Sequence, residues 1–73
     1  MHFDAEWDAK DMSCGDLVLD LRSRLRKMPG KILKVIARDP GAPSDLPAWC
    51  KMTGDELVHQ DSVAQAYWIK ARL

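Results

Sequence analysis

Apolar and polar positions follow two different periods in the first half of the chain. Over residues 3–10 every second residue is apolar, which predicts a half-buried strand. From Gly15 to Met28 the apolar residues recur every three or four positions, which predicts a helix with one apolar stripe. The stripe comprises Leu17, Val18, Leu21, Leu25 and Met28. Pro29 and Gly30 end this helix, because proline cannot continue its hydrogen bonds and glycine suits a left-handed C-terminal residue.

A central strand and a second helix are predicted next. Residues 32–37 are apolar except for Lys34, rich in β-branched residues and too short for a helix, which is typical of a strand buried on both faces. After a loop rich in proline and glycine, Ser44 is expected to cap a helix whose first turn holds Asp45 and tolerates Pro47. The apolar side of this helix comprises Leu46, Trp49 and Cys50.

The remaining segments, residues 57–60 and 66–69, predict two strands joined around Asp61 and Ser62. The order βαβαββ predicts an α+β fold, a two-layer sandwich with two helices on one face of a four-stranded mixed sheet. A chain of 73 residues with 47% hydrophobic and 30% charged residues is expected to form one domain over residues 1–73. No apolar stretch approaches a membrane span and no secretory signal is present, so we expect a cytoplasmic protein without a membrane partner.

Two cysteines are too few for a disulfide scaffold, so each is first interpreted as a free thiol. Cys14 lies where the first helix is predicted to begin, and free backbone N–H groups and the helix dipole stabilise a thiolate there. Asp11 and Asp16 oppose that effect by charge repulsion. Cys50 lies on the apolar side of the second helix, where burial raises a thiol pKa, and is interpreted as a core residue.

Other kinds of chemistry find little support in the sequence. His2, His59 and the two cysteines lack the paired spacings of zinc sites, so no metal centre is predicted, and His59 is expected on a strand facing water. There is no glycine-rich phosphate loop and no arrangement typical of a serine hydrolase, and no cofactor is expected.

Charge is balanced overall and uneven along the chain. The formal net charge is zero, with acidic residues concentrated before residue 21 and basic residues immediately after. Such a basic stretch is typical of a solvated helix face, and it can also bind an acidic partner or nucleic acid. The candidate partner-binding residues are Arg22, Arg26, Lys31, Lys34 and Asp45.

The chain resembles the TusA/SirA-like sulfur carriers from Phe3 to Ile69. The resemblance depends on a cysteine at a helix start, the Met28-Pro29-Gly30 turn, and the Asp39-Pro40 loop leading to Asp45-Leu46-Pro47. It implies the βαβαββ sandwich and a relay in which Cys14 accepts sulfur from a cysteine desulfurase or a rhodanese-like donor. The sulfur would then pass to an acceptor protein in tRNA thiolation, cofactor synthesis or sulfur oxidation. Nucleic acid is not expected as a direct partner.

Residues 14–17 depart from the family pattern. The family has Cys-Pro-x-Pro where this chain reads Cys14-Gly15-Asp16-Leu17, so both prolines are absent. Two alternatives to the carrier therefore stay open at this point. One is a non-enzymatic module that presents its basic first helix to an acidic protein or RNA, and the other is a redox-responsive thiol at Cys14.

Overall fold

The structure, a computed structural model, describes residues 2–73 apart from the side chain of Cys14. Its elements are β1 (Ala5–Asp8), α1 (Cys14–Arg26), β2 (Ile32–Ile36), α2 (Ala42–Thr53), β3 (Glu56–Asp61) and β4 (Ala66–Lys70). The order βαβαββ is therefore confirmed. Within the described residues the strands form one mixed sheet in the order β1-β2-β4-β3, with β1 and β2 parallel and the other pairs antiparallel. The prediction that residues 32–37 contain a central strand is correct.

The hydrophobic core lies between this sheet and the two helices, as predicted for a two-layer fold. Residues at every fourth position of α1 and alternate residues of β2 and β4 point into it, because these spacings bring side chains to one face. The largest fully buried side chains are Leu17, Leu21, Val35, Leu46, Tyr67 and Ile69. Trp49 is half-buried and packs against the border of the core, on the predicted apolar side of α2.

The glycine that follows α1 is required by its conformation. Gly30 has a φ of 77°, and its N–H donates to the carbonyl of Ala71 at 2.9 Å. A Cβ at this position would lie 2.8 Å from Cδ2 of Leu73. The turn after α1 is thus fixed against the segment that follows β4, which brings the end of the chain beside the end of α1.

The second helix begins at Ala42, two residues before the predicted cap at Ser44. The Asp39 carboxylate accepts the N–H of Gly41 at 2.8 Å, and the Asp39 carbonyl accepts the N–H of Ala42 at 3.0 Å. These bonds turn the chain early, and Pro43 fits the first helical turn because no intrahelical N–H bond is needed there. Ser44 is therefore a first-turn residue and does not cap the helix.

The first strand is shorter and more exposed than the alternation predicts. It spans Ala5–Asp8 at the edge of the sheet, where Phe3 and Ala5 are exposed and Trp7 is half-buried. An edge strand has one neighbour instead of two, so its apolar side is covered incompletely. Among the alternating apolar residues of this segment only Ala9, just beyond the strand, is buried.

The face of the sheet opposite the helices carries a cross-strand row of polar and aromatic residues. Register aligns Glu6, Lys34, Trp68 and His59 across the four strands. Trp68 is buried there beneath its neighbours, with the His59 ring 4.8 Å away between centroids. His59 is exposed, which confirms its predicted place on a strand facing water.

Candidate functional site

Both helices begin at the same end of the sheet. Strands β1 and β2 are parallel neighbours, and each is followed by a helix, so α1 and α2 start where these two strands finish. We call this the cysteine end, because α1 begins at Cys14; the side chain of Cys14 itself lies outside the described residues. The prediction that residue 14 stands at the start of the first helix is confirmed for the backbone.

The residue before Cys14 leaves the start of α1 open to an anion. Ser13 is the N-cap, with extended backbone angles (φ −69°, ψ 159°), and its hydroxyl does not cap the helix. The hydroxyl instead lies 3.4 Å from Oδ2 of Asp16. Backbone N–H groups of a first helical turn lack intrahelical partners, and they together with the helix dipole favour a negative charge.

Acidic side chains surround the same end and act in the opposite direction. They are Asp8, Asp11, Asp16, Asp39, Asp45 and Asp61, and the basic residues of these segments are Lys10 and Arg38. Arg38 already pairs with Asp8, with 3.3 Å between Nη2 and Oδ2. The cysteine end is therefore net acidic, and a thiolate there depends on the backbone dipoles of α1 for its stabilisation.

The second cysteine is unsuited to thiolate chemistry. Cys50 is only 2% exposed within the core formed by α2 and the sheet. Burial raises the pKa of its thiol to about 12, and the negative charge of Asp55 adds to that rise. The Cys50 thiol is thus protonated at neutral pH, which confirms its interpretation as a core residue.

The predicted basic docking residues are divided between different surfaces. Arg22 and Arg26 are exposed on α1, and Lys31 is exposed in the turn that follows. Lys34 lies on the opposite face of the sheet, where its Nζ is 3.8 Å from the Glu6 carboxylate. The Lys34 ammonium also lies 5.3 Å from the ring centroid of Phe3 and 5.4 Å from that of Trp68. The structure therefore does not bring Lys34 together with the arginines of α1.

Asp45 is separate from these basic residues and belongs to the cysteine end. It is exposed in the first turn of α2, and its N–H donates to the carbonyl of Gly41 at 2.9 Å. A carboxylate in a first turn interacts favourably with the helix dipole, so this position gives Asp45 a structural role at the start of α2.

Two exposed apolar side chains and one arginine were missed by the sequence reasoning. Leu19 is 69% exposed and lines a shallow hollow with Arg22 and Arg26, and Met52 is 78% exposed on the last turn of α2. The exposure of Leu19 was predictable from the sequence, because this residue falls outside the apolar stripe of α1. Arg72, which follows β4, lies in a second hollow with the same two arginines.

No group of three metal-ligating side chains occurs in the part of the chain that the structure describes. No helix among these residues is long and apolar enough to cross a membrane.

Comparison with known families identifies the chain. The model of the family described as "Sulfurtransferase TusA" matches residues 5–72, which includes both cysteines and almost the whole fold. The chain belongs to the TusA sulfurtransferase family. The resemblance stated from the sequence is confirmed.

Individual TusA relatives match along the same length. The chain is 40% identical over 72 residues to the sulfur carrier protein TusA of Pseudomonas paraeruginosa, with 94% of this chain and 91% of that protein covered. The proteins of the same name from Pseudomonas syringae pv. syringae and Pseudomonas putida are 39% and 38% identical, with 86% and 90% of their lengths covered. The likeness therefore extends through most of the length of each relative.

Proposed function

We propose that this protein is a sulfur carrier, in which Cys14 accepts a sulfur atom as a persulfide and passes it to another protein. The observation that carries the proposal is the contrast between the two cysteines of a TusA-family chain. Cys14 begins a helix, and Cys50 is buried with a pKa of about 12. The names of the relatives support a sulfur carrier and give no support to the non-enzymatic interaction module.

The transfer is an exchange of one sulfur between cysteines. The Cys14 thiolate attacks the outer sulfur of a donor persulfide, a new S–S bond forms, and the old S–S bond breaks to release the donor cysteine as a thiolate. The proton of the donor persulfide stays with the transferred sulfur or passes to solvent. An acceptor nucleophile then attacks the outer sulfur of the Cys14 persulfide and regenerates the Cys14 thiolate. No external oxidant or reductant is consumed in either step.

The start of α1 supports this chemistry electrostatically. Backbone N–H groups and the helix dipole stabilise the thiolate and the persulfide anion, which have the same charge and nearly the same location. The acidic residues of the cysteine end oppose both anions.

The partners are a sulfur donor and a sulfur acceptor. In this proposal the donor is a cysteine desulfurase or a rhodanese-like protein of the cytoplasm, and the acceptor belongs to tRNA thiolation, cofactor synthesis or sulfur oxidation. Arg22 and Arg26, with Lys31 beyond them, form the basic side of the docking surface. Exposed Leu19 beside these arginines supplies an apolar contact. Lys34 and Asp45 would meet a partner only through other surfaces.

The proposal is tested by loading the protein with sulfur. Wild-type protein is incubated with a cysteine desulfurase and cysteine, and its intact mass is measured without reductant. We expect a mass increase of one sulfur in the wild type and in Cys50→Ala, and none in Cys14→Ala. Absence of the increase in the wild type, or its persistence in Cys14→Ala, would contradict the proposal.

A further inference from the structure

A hollow at the end of the molecule opposite the cysteine end brings three arginines together. It lies between the last turns of α1, the end of α2 and the segment after β4, and we call it the arginine hollow. Arg22, Arg26 and Arg72 line it. Its apolar lining consists of Leu25, Pro29 and Leu73.

The three guanidinium groups have no carboxylate partner within the described residues. Ion pairs of the other arginines are formed, since Arg24 lies 3.4 Å from Asp20 and Arg38 lies 3.3 Å from Asp8. The carboxylate inside the hollow, that of Asp55, instead accepts the Thr53 hydroxyl at 2.8 Å and the backbone N–H of Arg72 at 2.9 Å. The arginine side chains of the hollow thus keep their capacity to bind an anion.

We propose that the arginine hollow binds an acidic segment of a partner protein, with carboxylates on the guanidinium groups and an apolar side chain between them. Guanidinium groups present paired N–H donors that match a carboxylate. The apolar lining of the hollow accommodates an aliphatic side chain placed between two acidic ones.

The surroundings of the hollow favour separate carboxylates over a phosphate group. The C-terminal ends of α1 and α2 meet here and carry negative partial charge. The Asp55 carboxylate adds a full negative charge to the wall. A single dianion would lie against these negative charges as well as against the arginines, whereas carboxylates spaced along a peptide can each contact one guanidinium group.

This inference rests on the proposed function, because only that function identifies the partner as a sulfur donor or acceptor. Arg22 and Arg26 follow Cys14 by eight and twelve residues, which is about 12 and 18 Å along a helix. A partner can therefore hold the arginine hollow while one of its loops reaches the cysteine end. Binding at the hollow itself requires no sulfur transfer.

The test measures peptide binding by fluorescence anisotropy at low salt. The probe is a fluorescein-labelled peptide with two glutamates on each side of a leucine, and the control peptide has glutamine in place of glutamate. We expect the glutamate peptide alone to bind the wild type. Arg22→Gln, Arg26→Gln and Arg72→Gln should each weaken its binding roughly fivefold, as for an exposed charge pair.

Arg24→Gln is the matched control, because it removes the same charge from α1 at a position that faces β1. An equal loss of affinity in Arg24→Gln would indicate long-range attraction only and would overturn the proposed site. Failure of the wild type to bind the glutamate peptide would also overturn it, as would displacement of that peptide by a short RNA at the same anionic charge concentration. Sulfur uptake at Cys14 in the same preparation shows whether the carrier function survives when the arginine hollow fails.

Discussion

The backbone N–H of Arg72 donates a hydrogen bond to Oδ1 of Asp55 at 2.9 Å. The other carboxylate oxygen of Asp55 accepts the hydroxyl of Thr53 at 2.8 Å. One side chain therefore ties the end of α2 to the segment that follows β4. This segment also carries Ala71, whose carbonyl accepts the N–H of Gly30 after α1, so the ends of both helices are joined through it.

Removal of the Asp55 carboxylate should lower the stability of the fold. Asp55→Ala leaves the Arg72 N–H and the Thr53 hydroxyl without this acceptor, and we expect the free energy of unfolding to fall by about 1–3 kcal/mol. Urea denaturation followed by tryptophan fluorescence measures the change. Glu56→Ala, at the adjacent exposed residue, should change the unfolding free energy by less than about 0.5 kcal/mol. Equal effects of the two substitutions would contradict a specific role for Asp55.

The sequence predicts those parts of the fold that depend on regular local spacing, and it does not predict those that depend on a specific side-chain contact. The apolar stripe of α1 was predictable because one helix meets one sheet face at a fixed local spacing, as at Leu17 and Leu21. The start of α2 was not, since an equally plausible cap at Ser44 lost to the turn that the Asp39 side chain makes. The Asp39 side chain accepts the N–H of Gly41, two residues further along, and this contact produces no periodic pattern of apolar residues in the sequence.

The candidate site shows the same division. Cys14 at a helix start followed from the local pattern and was strengthened by the family resemblance. The position of Lys34 did not follow, because a strand interpreted as buried on both faces gives no direction to its one charged residue. The arginine hollow was beyond sequence reasoning, since Arg26 and Arg72 are brought together only by the sheet register and the Gly30 turn.

The Cys50 thiol should make stability fall at high pH. Folding raises its pKa from 9.0 to about 12 through burial, with the Asp55 charge in support. Below about pH 9 the folded and unfolded chains both hold the proton, so the stabilising contribution is complete. Between about pH 9 and 12 the unfolded chain loses the proton first, and stability is lost as pH rises. Urea denaturation at a series of pH values measures this loss, and Cys50→Ala should have a flatter profile over the same range.

The same shift predicts that the two cysteines differ in alkylation. In folded protein at pH 8 iodoacetamide should modify Cys14 alone, and after unfolding in urea it should modify both cysteines. Mass spectrometry of the peptides separates the two positions. Modification of Cys50 in the folded protein at a rate similar to Cys14 would contradict the burial of its thiol.

Two arginines of α1 should contribute differently to stability. Arg24 lies with its guanidinium carbon 4.2 Å from the ring centroid of Trp7 and also pairs with Asp20, whereas Arg22 has no ion pair within the described residues. We expect Arg24→Gln to lower the free energy of unfolding by about 0.5–1 kcal/mol and Arg22→Gln to leave it nearly unchanged. Thermal unfolding of the two variants measures the difference. An unchanged free energy of unfolding in Arg24→Gln would show that the contacts of Arg24 with Trp7 and Asp20 are not stabilising.

We expect the absence of proline at position 15 to let α1 begin at Cys14. Cys14 is already helical and Ser13 is the N-cap, and a Cβ at Gly15 would meet no atom within 4 Å. A proline disfavours helical angles in the residue before it, and it fits best as the first residue of a helix. Gly15→Pro, which restores the first proline of the family pattern, should therefore move the helix start to residue 15 and make Cys14 the N-cap.

This shift is measurable at the backbone and at the thiol. In Gly15→Pro the 13Cα chemical shift of residue 14 should change from helical to extended values, and the pH dependence of Cys14 alkylation should change with it. Gly15→Ala is the control, because alanine keeps residue 14 helical and should raise the free energy of unfolding by roughly 0.5–1 kcal/mol. Helical shifts at residue 14 in both variants would show that a proline at position 15 does not move the start of α1. Extended values in Gly15→Pro alone would show that a proline at position 15 places the cysteine at the cap, whereas glycine leaves it in the first turn.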